Sequence, residues 1–307
     1  MRQIAIGIDI GGTRTKIGIV DLAEGVVVEM MLTPTEKNDA DLFINNIYGQ
    51  YCSLAENAGI SKDSIAGIGI GAPGFVYDDG SVDSTFGFLP FMDRHYPLKR
   101  EIEVKFGLPC RVDNDARIVA LGESVYGRGK GYDRVLVLTL GTGLGIGLIV
   151  KGKFESGLPY AHLGGHITVA SGDVKCYCGR YGCLEALVSA TAIVEAARQS
   201  GLFMKNPGIA ATAEAVFTSS KAGNRIAGEI VSDFLRHLST GISNYISLFA
   251  PDIIIIGGGV SRELDPYLRN IRQLVYLPPY STYKFEIELS QLDELSGILG
   301  SAALFIQ

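Results

Sequence analysis

The stretch from Cys176 to Cys183 holds three of the five cysteines of the chain, and His166 precedes it. Three thiols and one imidazole at this spacing form the ligand set of a tetrahedral Zn²⁺ site. The alternative is a local disulfide with a spare thiol in a tight turn, an arrangement typical of secreted proteins. Because no other feature of the chain indicates secretion, we predict a metal site. Glu185 ends the motif and adds a carboxylate that can face a ligand.

Two glycine-rich turns follow β-branched runs, one in each half of the chain. Their candidate phosphate-binding residues are Gly11, Gly12, Thr13, Gly141, Thr142 and Gly143. Backbone N–H groups in such turns bind phosphate. Each turn alone is also compatible with a simple tight turn, but the pair at corresponding positions predicts two hairpins that hold the phosphates of a nucleotide. Asp9 would then lie near a Mg²⁺ ion, through water, and Lys16 or Arg14 would add positive charge.

Other nucleotide-binding motifs do not fit the chain. It has no Gly-x-x-x-x-Gly-Lys-Ser/Thr sequence, which excludes a P-loop. A Gly-x-Gly-x-x-Gly match occurs at Gly69–Gly74, but Pro73 and the residues after it stand where a dinucleotide-binding fold opens a helix. We therefore do not predict a dinucleotide site.

The composition is that of an ordinary globular protein. Of the 307 residues, 47% are hydrophobic and 20% are charged, and the net charge is −6. This charge argues against nucleic acid as a partner, and no apolar run reaches the ~20 residues of a membrane span. We find no signal peptide, and clustered thiols without a disulfide framework favour a reducing cytoplasm. The length predicts two domains.

Hydrophobic periodicity predicts the elements that must position these residues. In the first half we expect strands and helices at Ile4–Ile8, Ile17–Val20, Val26–Leu32, Asp39–Gly59, Ile65–Ile70, 98–106, Cys110–Asp113 and Ala116–Tyr126. In the second half we expect Val135–Thr139, Ile146–Val150, a helical stretch over Ala186–Leu248, Asp252–Ile256, Phe285–Leu289 and a small-residue helix at Gly297–Ile306. The repeated strand, glycine turn and strand predict a duplicated architecture with a cleft between two lobes, where small ligands bind.

A third set of polar residues, within Val112–Arg117, follows a predicted strand and precedes a helix. Phosphoryl transfer to an alcohol requires a group that accepts the hydroxyl proton and orients the oxygen. A carboxylate within hydrogen-bond reach meets that need. A side chain here is also suited to cap the helix that starts near Ala116. The residue types alone do not decide which of Asp113, Asn114 and Asp115 caps the helix and which accepts the proton.

Taken together, the motifs resemble a known family over the whole chain. Asp9–Lys16 resembles the first phosphate motif of sugar kinases with the actin-like ATPase fold, Leu140–Gly145 resembles their second, and Ile254–Ser261 resembles their adenosine motif. Gly165–His166 followed by Cys176–Glu185 resembles the signature of the ROK family, which contains repressors and kinases. The cysteine motif is highly specific, whereas the glycine turns alone are only suggestive.

The resemblance implies a fold and an activity. The fold would be α/β, a two-lobed actin-like ATPase (ribonuclease H-like) architecture with a cleft between duplicated lobes and a structural zinc loop. The small lobe would comprise residues 1–116 and 295–307, and the large lobe residues 117–294. The activity would be ATP-dependent phosphorylation of a hydroxyl of a free hexose or hexose derivative, with Mg²⁺. Homodimers, and sometimes tetramers, are common in the family.

The resemblance also implies roles for individual residues, with Asp115 as the general base. The residues that would bind substrate are Asn114, His166, Glu185 and Gly74. The adenosine motif contributes Gly257, Gly258 and Gly259. The structural Zn²⁺ would be held by His166, Cys176, Cys178 and Cys183. A closed four-ligand site has no open position for a reacting water, so the metal would keep neighbouring sugar-binding groups in place.

Two segments depart from the family pattern. Leu163 stands where sugar-specific members carry a glutamate that binds hydroxyls near the anomeric end of a hexose, and His162 is a candidate to compensate. Thr85–Phe91 replaces a segment that commonly supplies an asparagine, which would make this edge of the pocket more apolar. Recognition of hydroxyls by polar groups is strongly discriminating, so glucose is not the only candidate substrate.

Three alternatives follow from these departures and from the family's membership. The substrate would be an N-acylated amino sugar or fructose, or the protein would bind sugar and ATP without turnover. A sugar-responsive repressor is the third alternative. We disfavour it because the first phosphate motif begins at Ile4–Asp9, without room for a helix-turn-helix before it.

Overall fold

Residues 3–84, 89–154, 161–275 and 282–306 are described by the computed structural model. The chain divides into two units. Unit 1 comprises Met1–Gly131, Ile149–Glu155 and Leu292–Gln307, and unit 2 comprises Tyr132–Leu148 and Ser156–Gln291. The lobe boundaries implied by the family resemblance remain predictions beside this division.

The two halves of the chain contain the following elements. The first half holds β1 (Ile4–Ile10), β2 (Arg14–Asp21), β3 (Val26–Pro34), α1 (Ala40–Asn57), β4 (Ile65–Ala72), β5 (Phe75–Val76), β6 (Val82–Asp83), α2 (Leu98–Phe106), β7 (Cys110–Asn114) and α3 (Asp115–Tyr126). The second half holds β8 (Arg134–Leu140), β9 (Leu144–Val150), β10 (Lys153–Phe154), α4 (Glu185–Val188), α5 (Ala190–Gln199), α6 (Leu202–Lys205), α7 (Ala213–Lys221), α8 (Arg225–Phe249), β11 (Ile253–Gly257), α9 (Leu268–Leu274), β12 (Glu286–Leu289) and α10 (Ser296–Ala303).

The sheet of unit 1 has the strand order β3-β2-β1-β4-β7. β1, β2 and β3 form an antiparallel meander, β4 runs parallel to β1, and β7 runs parallel to β4. β1 and β4 are apolar along most of their length because both faces of the sheet are covered. Helices α1 and α2 pack on one face, with Phe43 and Ile102 among the core residues. Helix α10 packs on the other face through Ile298 and Leu299.

Helix α10 lies unusually close to its sheet. A Cβ atom at Gly7 of β1 would lie 2.1 Å from the carbonyl oxygen of Ile298, and one at Gly69 of β4 would lie 1.8 Å from that of Ser301. Any side chain at these two positions would push the helix away, so glycine is required. The small-residue helix expected at the end of the chain therefore packs on the first sheet.

The second sheet has the strand order β10-β9-β8-β11-β12. β8, β11 and β12 run parallel, and β11 is a run of isoleucines, Ile253–Ile256, that is fully buried. Five helices, α4 to α8, precede β11 in the chain, and α8 alone extends over 25 residues. Each sheet thus places three consecutive strands side by side and then adds two later strands. This shared order confirms the predicted duplication.

The predicted elements agree with the structure to within a few residues. The helical stretch expected over Ala186–Leu248 consists of the five helices α4 to α8. The Gly69–Gly74 sequence leads into the short strand β5 and not into a helix. This sequence therefore lacks the helix that a dinucleotide-binding motif opens.

Candidate functional site

The carboxyl ends of three parallel strands bring the acidic residues of unit 1 together. Asp9 of β1 is opposite Gly71 of β4, and Gly71 is opposite Asp113 of β7. Asp115 follows two residues later as the first residue of α3. Its carboxylate lies close enough to Asp9 for the charge of Asp9 to raise its pKa. Two carboxylates that are distant in the sequence therefore share one edge of the sheet.

The start of α3 is fixed by Asn114, which resolves the capping alternatives. The Asn114 side-chain oxygen accepts hydrogen bonds from the backbone N–H of Ala116 at 3.0 Å and of Arg117 at 3.3 Å. Its amide nitrogen donates to the carbonyl oxygen of Gly74 at 2.9 Å. An amide carries a second N–H, which remains suited to a substrate oxygen. The structure thus brings together the predicted substrate residues Asn114 and Gly74.

Asp115 has the properties of a proton acceptor that works near neutral pH. Burial raises its pKa to about 7, and the charge of Asp9 adds to that shift. Hydrogen bonds from Ala116 and Asn114 oppose the shift, and the Ala116 N–H donates to Asp115 Oδ1 at 2.9 Å. Asp113 has a different environment, because its Oδ1 accepts from Arg117 Nε at 2.7 Å. Of the two carboxylates beside Asn114, Asp115 is therefore the one suited to general-base chemistry.

Asp9 faces Lys16 across the β1–β2 hairpin, where the two residues are directly opposite. Lys16 Nζ lies 3.4 Å from Asp9 Oδ2 and 3.1 Å from the carbonyl oxygen of Glu294. Burial raises the pKa of Asp9, and Lys16 opposes the shift. A Cβ atom at Gly297 of α10 would lie 2.4 Å from Asp9 Oδ2. The glycine thus leaves room for the Asp9 carboxylate beside the first turn of α10.

The turn of the first hairpin is held by Thr35, the residue that follows β3. Gly11 N–H donates to the carbonyl oxygen of Arg14 at 3.0 Å. The Thr35 hydroxyl donates to the carbonyl oxygen of Gly11 at 2.8 Å, and the Thr35 N–H donates to that of Thr13 at 3.0 Å. The Thr15 and Thr35 hydroxyls are 2.9 Å apart and buried. Sequence reasoning missed Thr35, since it lies outside every motif.

The turn of the second hairpin is braced by a helix. Gly141 N–H donates to the carbonyl oxygen of Gly143 at 2.9 Å. At the start of α5, the Ala190 N–H donates to the carbonyl oxygen of Gly141 at 2.8 Å, and the Thr191 hydroxyl donates to that of Thr142 at 2.9 Å. These bonds occupy the carbonyl oxygens of Gly141 and Thr142.

The glycine turn after β11 lies beside the second hairpin. β11 runs parallel to β8, with Gly257 opposite Thr139. Gly258 has a φ of +85°, and a Cβ atom there would lie 2.4 Å from the carbonyl oxygen of Leu140. Both facts require glycine at this position. The two glycine turns of unit 2 that were predicted to bind ATP are therefore adjacent.

The three thiols and the imidazole converge in unit 2. The potential ligand atoms of His166, Cys176, Cys178 and Cys183 all lie within 4.8 Å of one another. Cys178 Sγ and Cys183 Sγ are 3.7 Å apart, and all five cysteines are free thiols. Zn–S bonds of about 2.3 Å in a tetrahedral site place two sulfurs about 3.8 Å apart. The donor set and its spacing therefore fit a structural Zn²⁺, and the disulfide alternative is not formed.

Glu185 connects this thiol cluster to the second hairpin. Its Oε2 lies 3.4 Å from His166 Nδ1, and its carboxylate accepts hydrogen bonds from the Leu144 backbone and the Tyr177 hydroxyl. Burial raises the pKa of Glu185, and these two donors oppose the shift. A Cβ atom at Gly143 would lie 2.4 Å from Glu185 Oε1. The predicted sugar-binding pair His166 and Glu185 thus lies directly against the predicted phosphate turn.

The two departures from the family pattern differ in their surroundings. Leu163 is 47% exposed, as expected of a residue at an open approach. Leu89 and Phe91 instead belong to the core under α1, where Phe91 packs on Phe43. Leu89 is fully buried and Phe91 is partly buried, and the apolar pocket edge expected of this segment stays a prediction. Thr85–Phe88 and the side chain of His162 lie outside the described part of the chain.

Within the described ranges, none of the helices combines the length and the apolar character needed to cross a bilayer.

Comparisons with known proteins agree along the whole chain. The sequence model of the ROK family matches residues 5–307. A glucokinase of Halalkalibacterium halodurans is 34% identical over 98% of this chain and 94% of its own length. A glucokinase of Thermotoga maritima is 32% identical over 97% of this chain and 96% of its own length.

Among solved structures, a ROK family glucokinase from Streptomyces griseus in complex with glucose and AMPPNP is similar in fold. It aligns with a TM-score of 0.81 and 31% identity over 98% of both chains. The α/β fold class predicted from the sequence is therefore confirmed.

Proposed function

The chain belongs to the ROK family, and on that premise we propose that it transfers the terminal phosphoryl group of ATP to a hydroxyl of a free hexose or hexose derivative. The observation that carries the proposal is Asp115, a carboxylate at a helix start whose pKa is raised to about 7. A general base is most effective when its pKa lies near the working pH. The glucokinases that resemble the chain over nearly its full length support the same activity.

In the reaction, Asp115 accepts the proton of the sugar hydroxyl while that oxygen attacks the γ-phosphorus. The bond from the γ-phosphorus to the bridging oxygen breaks, and ADP leaves. There is little covalent chemistry for the protein to perform, so positioning and charge stabilisation supply most of the acceleration. Asn114 holds the start of α3 in place, and this fixes the direction in which Asp115 points.

We assign ATP to the glycine turns. Gly11, Gly12 and Thr13 in the first hairpin, and Gly141, Thr142 and Gly143 in the second, offer backbone N–H groups to the phosphates. Gly257, Gly258 and Gly259 contact the adenosine, which is consistent with the position of this turn beside the second hairpin. Mg²⁺, when bound, neutralises charge on the β- and γ-phosphates. Asp9 would hold it through water, and Lys16 balances the charge of Asp9.

Zn²⁺ has a structural part in the proposal. His166, Cys176, Cys178 and Cys183 would hold it, because their ligand atoms already cluster at the spacing that the ion requires. When bound, it cross-links the loop that carries His166 and keeps the imidazole in one orientation. None of the reacting atoms passes through it.

By the family resemblance, Asn114, Gly74, His166 and Glu185 would bind the sugar hydroxyls. Glucose is the first sugar to test, because the resembling enzymes are glucokinases. Leu163 removes a carboxylate that would accept hydroxyls, so fructose and N-acylated amino sugars belong in the same test.

The testing experiment measures ADP release with Mg²⁺ and ATP across glucose, fructose, mannose and N-acetylated amino sugars. We expect turnover of at least one sugar, and a roughly 10²- to 10⁴-fold loss of kcat in Asp115→Asn. Asp113→Asn is the matched control, because Asp113 is the neighbouring carboxylate and pairs with Arg117. The kcat of Asp113→Asn should fall less than tenfold.

Two results would contradict the proposal. Binding of ATP or sugar without turnover of any sugar identifies a binding protein in place of a kinase. Retained activity in Asp115→Asn removes Asp115 from the role of base. The free thiols support a further proposal, that the protein works in a reducing cytoplasm. The homodimer or tetramer common in the family stays a prediction.

A further inference from the structure

Tyr177 lies over the two unit 2 side chains proposed to bind sugar. It sits between the zinc ligands Cys176 and Cys178 and is 63% exposed. Its hydroxyl nevertheless lies 3.2 Å from His166 Nε2 and donates to the Glu185 carboxylate. The tyrosine ring meets the imidazole edge-on, with centroids 5.1 Å apart. A largely exposed side chain thus places its one polar atom between His166 and Glu185.

The direction of these hydrogen bonds follows from the neighbours of the imidazole. His166 Nδ1 is the nitrogen that faces Cys176 Sγ, at 3.5 Å. A metal held by the thiols would therefore take Nδ1, and a metal-bound histidine donates its other ring N–H to a second partner. The Tyr177 hydroxyl accepts from Nε2–H and donates to Glu185. One hydroxyl group satisfies one donor and one acceptor.

A sugar hydroxyl has the same capacity, since it also carries one O–H donor and two lone pairs. We propose that Tyr177 determines sugar specificity: its hydroxyl occupies the position of one sugar hydroxyl between His166 and Glu185, and a hexose displaces it on binding. This inference rests on the proposed function, in which His166 and Glu185 bind the sugar. Sequence reasoning left Tyr177 without a role, although it stands between two predicted ligands.

The exposure of Tyr177 makes the displacement feasible. A side chain that is 63% exposed turns toward solvent without opening a cavity. The bound sugar replaces one pair of hydrogen bonds by an equivalent pair, and such exchanges are nearly balanced. The competition therefore weakens binding only modestly, by about three- to tenfold.

The Tyr177 hydroxyl also makes the protein more tolerant of one deoxy-sugar, the one that lacks the hydroxyl that Tyr177 replaces. A hexose that lacks this hydroxyl leaves the Tyr177 hydroxyl in place, so that His166 and Glu185 keep their partners. Without Tyr177, the same deoxy-sugar would leave two buried polar groups unpaired, which is costly. Removal of the Tyr177 hydroxyl should therefore lower the KM for the parent hexose and raise the KM for this deoxy-sugar.

The test is Tyr177→Phe, with Tyr181→Phe as the matched control. Tyr181 lies in the same loop and is 53% exposed. The substrate is whichever hexose the wild-type protein phosphorylates best, together with its mono-deoxy analogues. We expect KM for the parent hexose to fall about three- to tenfold in Tyr177→Phe with little change in kcat. For one analogue KM should rise by at least a similar factor, and Tyr181→Phe should change neither.

Binding gives a second readout that does not depend on turnover. The chain contains no tryptophan, so difference absorption at wavelengths above the phenylalanine bands reports on tyrosines. Titration of the wild-type protein with the hexose should give a tyrosine difference signal as the Tyr177 hydroxyl leaves its partners. The signal should be lost in Tyr177→Phe and retained in Tyr181→Phe. Zinc content and Tm confirm that each variant is folded, and Tyr177→Leu repeats the test without the aromatic ring.

The outcomes separate this inference from the function on which it rests. If the wild-type protein neither binds nor phosphorylates any sugar, the proposed function fails and the inference fails with it. If the wild-type protein is active, but Tyr177→Phe leaves every KM unchanged or raises all of them alike, the inference is overturned and the kinase stands. A difference signal that persists in Tyr177→Phe also overturns it.

Discussion

The two glycine hairpins have the same place in two sheets of the same strand order. They differ in the charged side chains beside each turn and in the residues that hold each turn in place. The first hairpin carries its own carboxylate, Asp9, with Lys16 directly opposite, and is braced by the nearby Thr35. The second carries no charge of its own in Gly141–Gly143. Its carboxylate, Glu185, comes from beyond the thiol loop, and its brace comes from the start of α5. A shared backbone pattern thus acquires distinct chemistry from what packs against it.

The buried carboxylates of the two units show the same contrast. Burial raises the pKa of both Asp115 and Glu185. Asp115 has an anionic neighbour, Asp9, which raises its pKa further. Glu185 instead receives hydrogen bonds from Leu144 and Tyr177, which stabilise its charged form. The first environment favours proton transfer, and the second favours steady binding of hydroxyl groups.

The largest expected effect is the pH dependence set by Asp115. Its carboxylate must be deprotonated to accept a proton, and its pKa is raised to about 7. We expect kcat/KM to fall toward tenfold per pH unit below that value, and so about 50-fold from pH 7, where half of the carboxylate is deprotonated, to pH 5. A pH profile of kcat/KM checks this. A profile that stays flat down to pH 5 would show that burial and Asp9 do not tune the base.

The same shift has a consequence for stability with a defined sign. The pKa of Asp115 is higher in the folded than in the unfolded protein, where it is about 4. Its contribution to stability is therefore fully present below pH 4 and is lost as the pH rises through 7. Asp115→Asn should raise Tm at pH 8 and leave it nearly unchanged at pH 4. Equal shifts at both pH values would contradict the assignment.

Loss of a zinc ligand should produce the second-largest effect. It should be confined to the sugar-binding groups beside the second hairpin. Cys178→Ser removes one of four ligands, so bound zinc should fall from about one ion per chain toward zero. Because the cluster holds His166 beside Glu185, we expect sugar kcat/KM to drop at least tenfold, with a lower Tm. Cys52→Ser is the control, since that thiol is exposed on α1. Metal analysis and kinetics on both variants decide the matter.

A methyl group in the second turn should produce a third, smaller effect. In Gly143→Ala the new Cβ would lie 2.4 Å from Glu185 Oε1, whereas in Gly141→Ala it would meet nothing within 4 Å. We expect Gly143→Ala to raise the KM for sugar about tenfold by displacing Glu185. Gly141→Ala should leave the KM for sugar unaltered, with any change limited to the KM for ATP. Equal sugar constants in the two variants would break the link between this turn and Glu185.

The smallest effect should come from the brace of the first hairpin. Thr35→Val removes the donor to the Gly11 carbonyl and leaves the buried Thr15 hydroxyl without that partner. We expect a loss of about 1–3 kcal/mol in the free energy of unfolding and a two- to fivefold rise in the KM for ATP. Thr33→Val, two residues earlier near the end of β3, is the control, because its weak bond to Pro34 is exposed. A change in the KM for sugar alone would contradict the role assigned to this hairpin.

The sequence by itself determined the elements and the chemically active motifs. Strand and helix positions follow from hydrophobic period, and the thiol motif and glycine turns follow from short-range spacing, so each can be predicted from a few neighbouring residues. The order of the motifs also identified the family, and the resemblance predicts Asp115 as the general base. The residue types at Asp113–Asp115 did not decide which residue caps α3 and which accepts the proton, because Asp and Asn both cap helices and two carboxylates are present.

Only the tertiary structure decided which of these residues caps α3 and which distant segments are in contact. Asn114 caps α3 because its amide also reaches Gly74, and Asp115 is tuned by Asp9, which lies on another strand. The approach of Glu185 to Gly143, and of the Tyr177 hydroxyl to His166, likewise depends on how separate segments pack. Distances of this kind are set by packing between elements, and local periodicity carries no information about them.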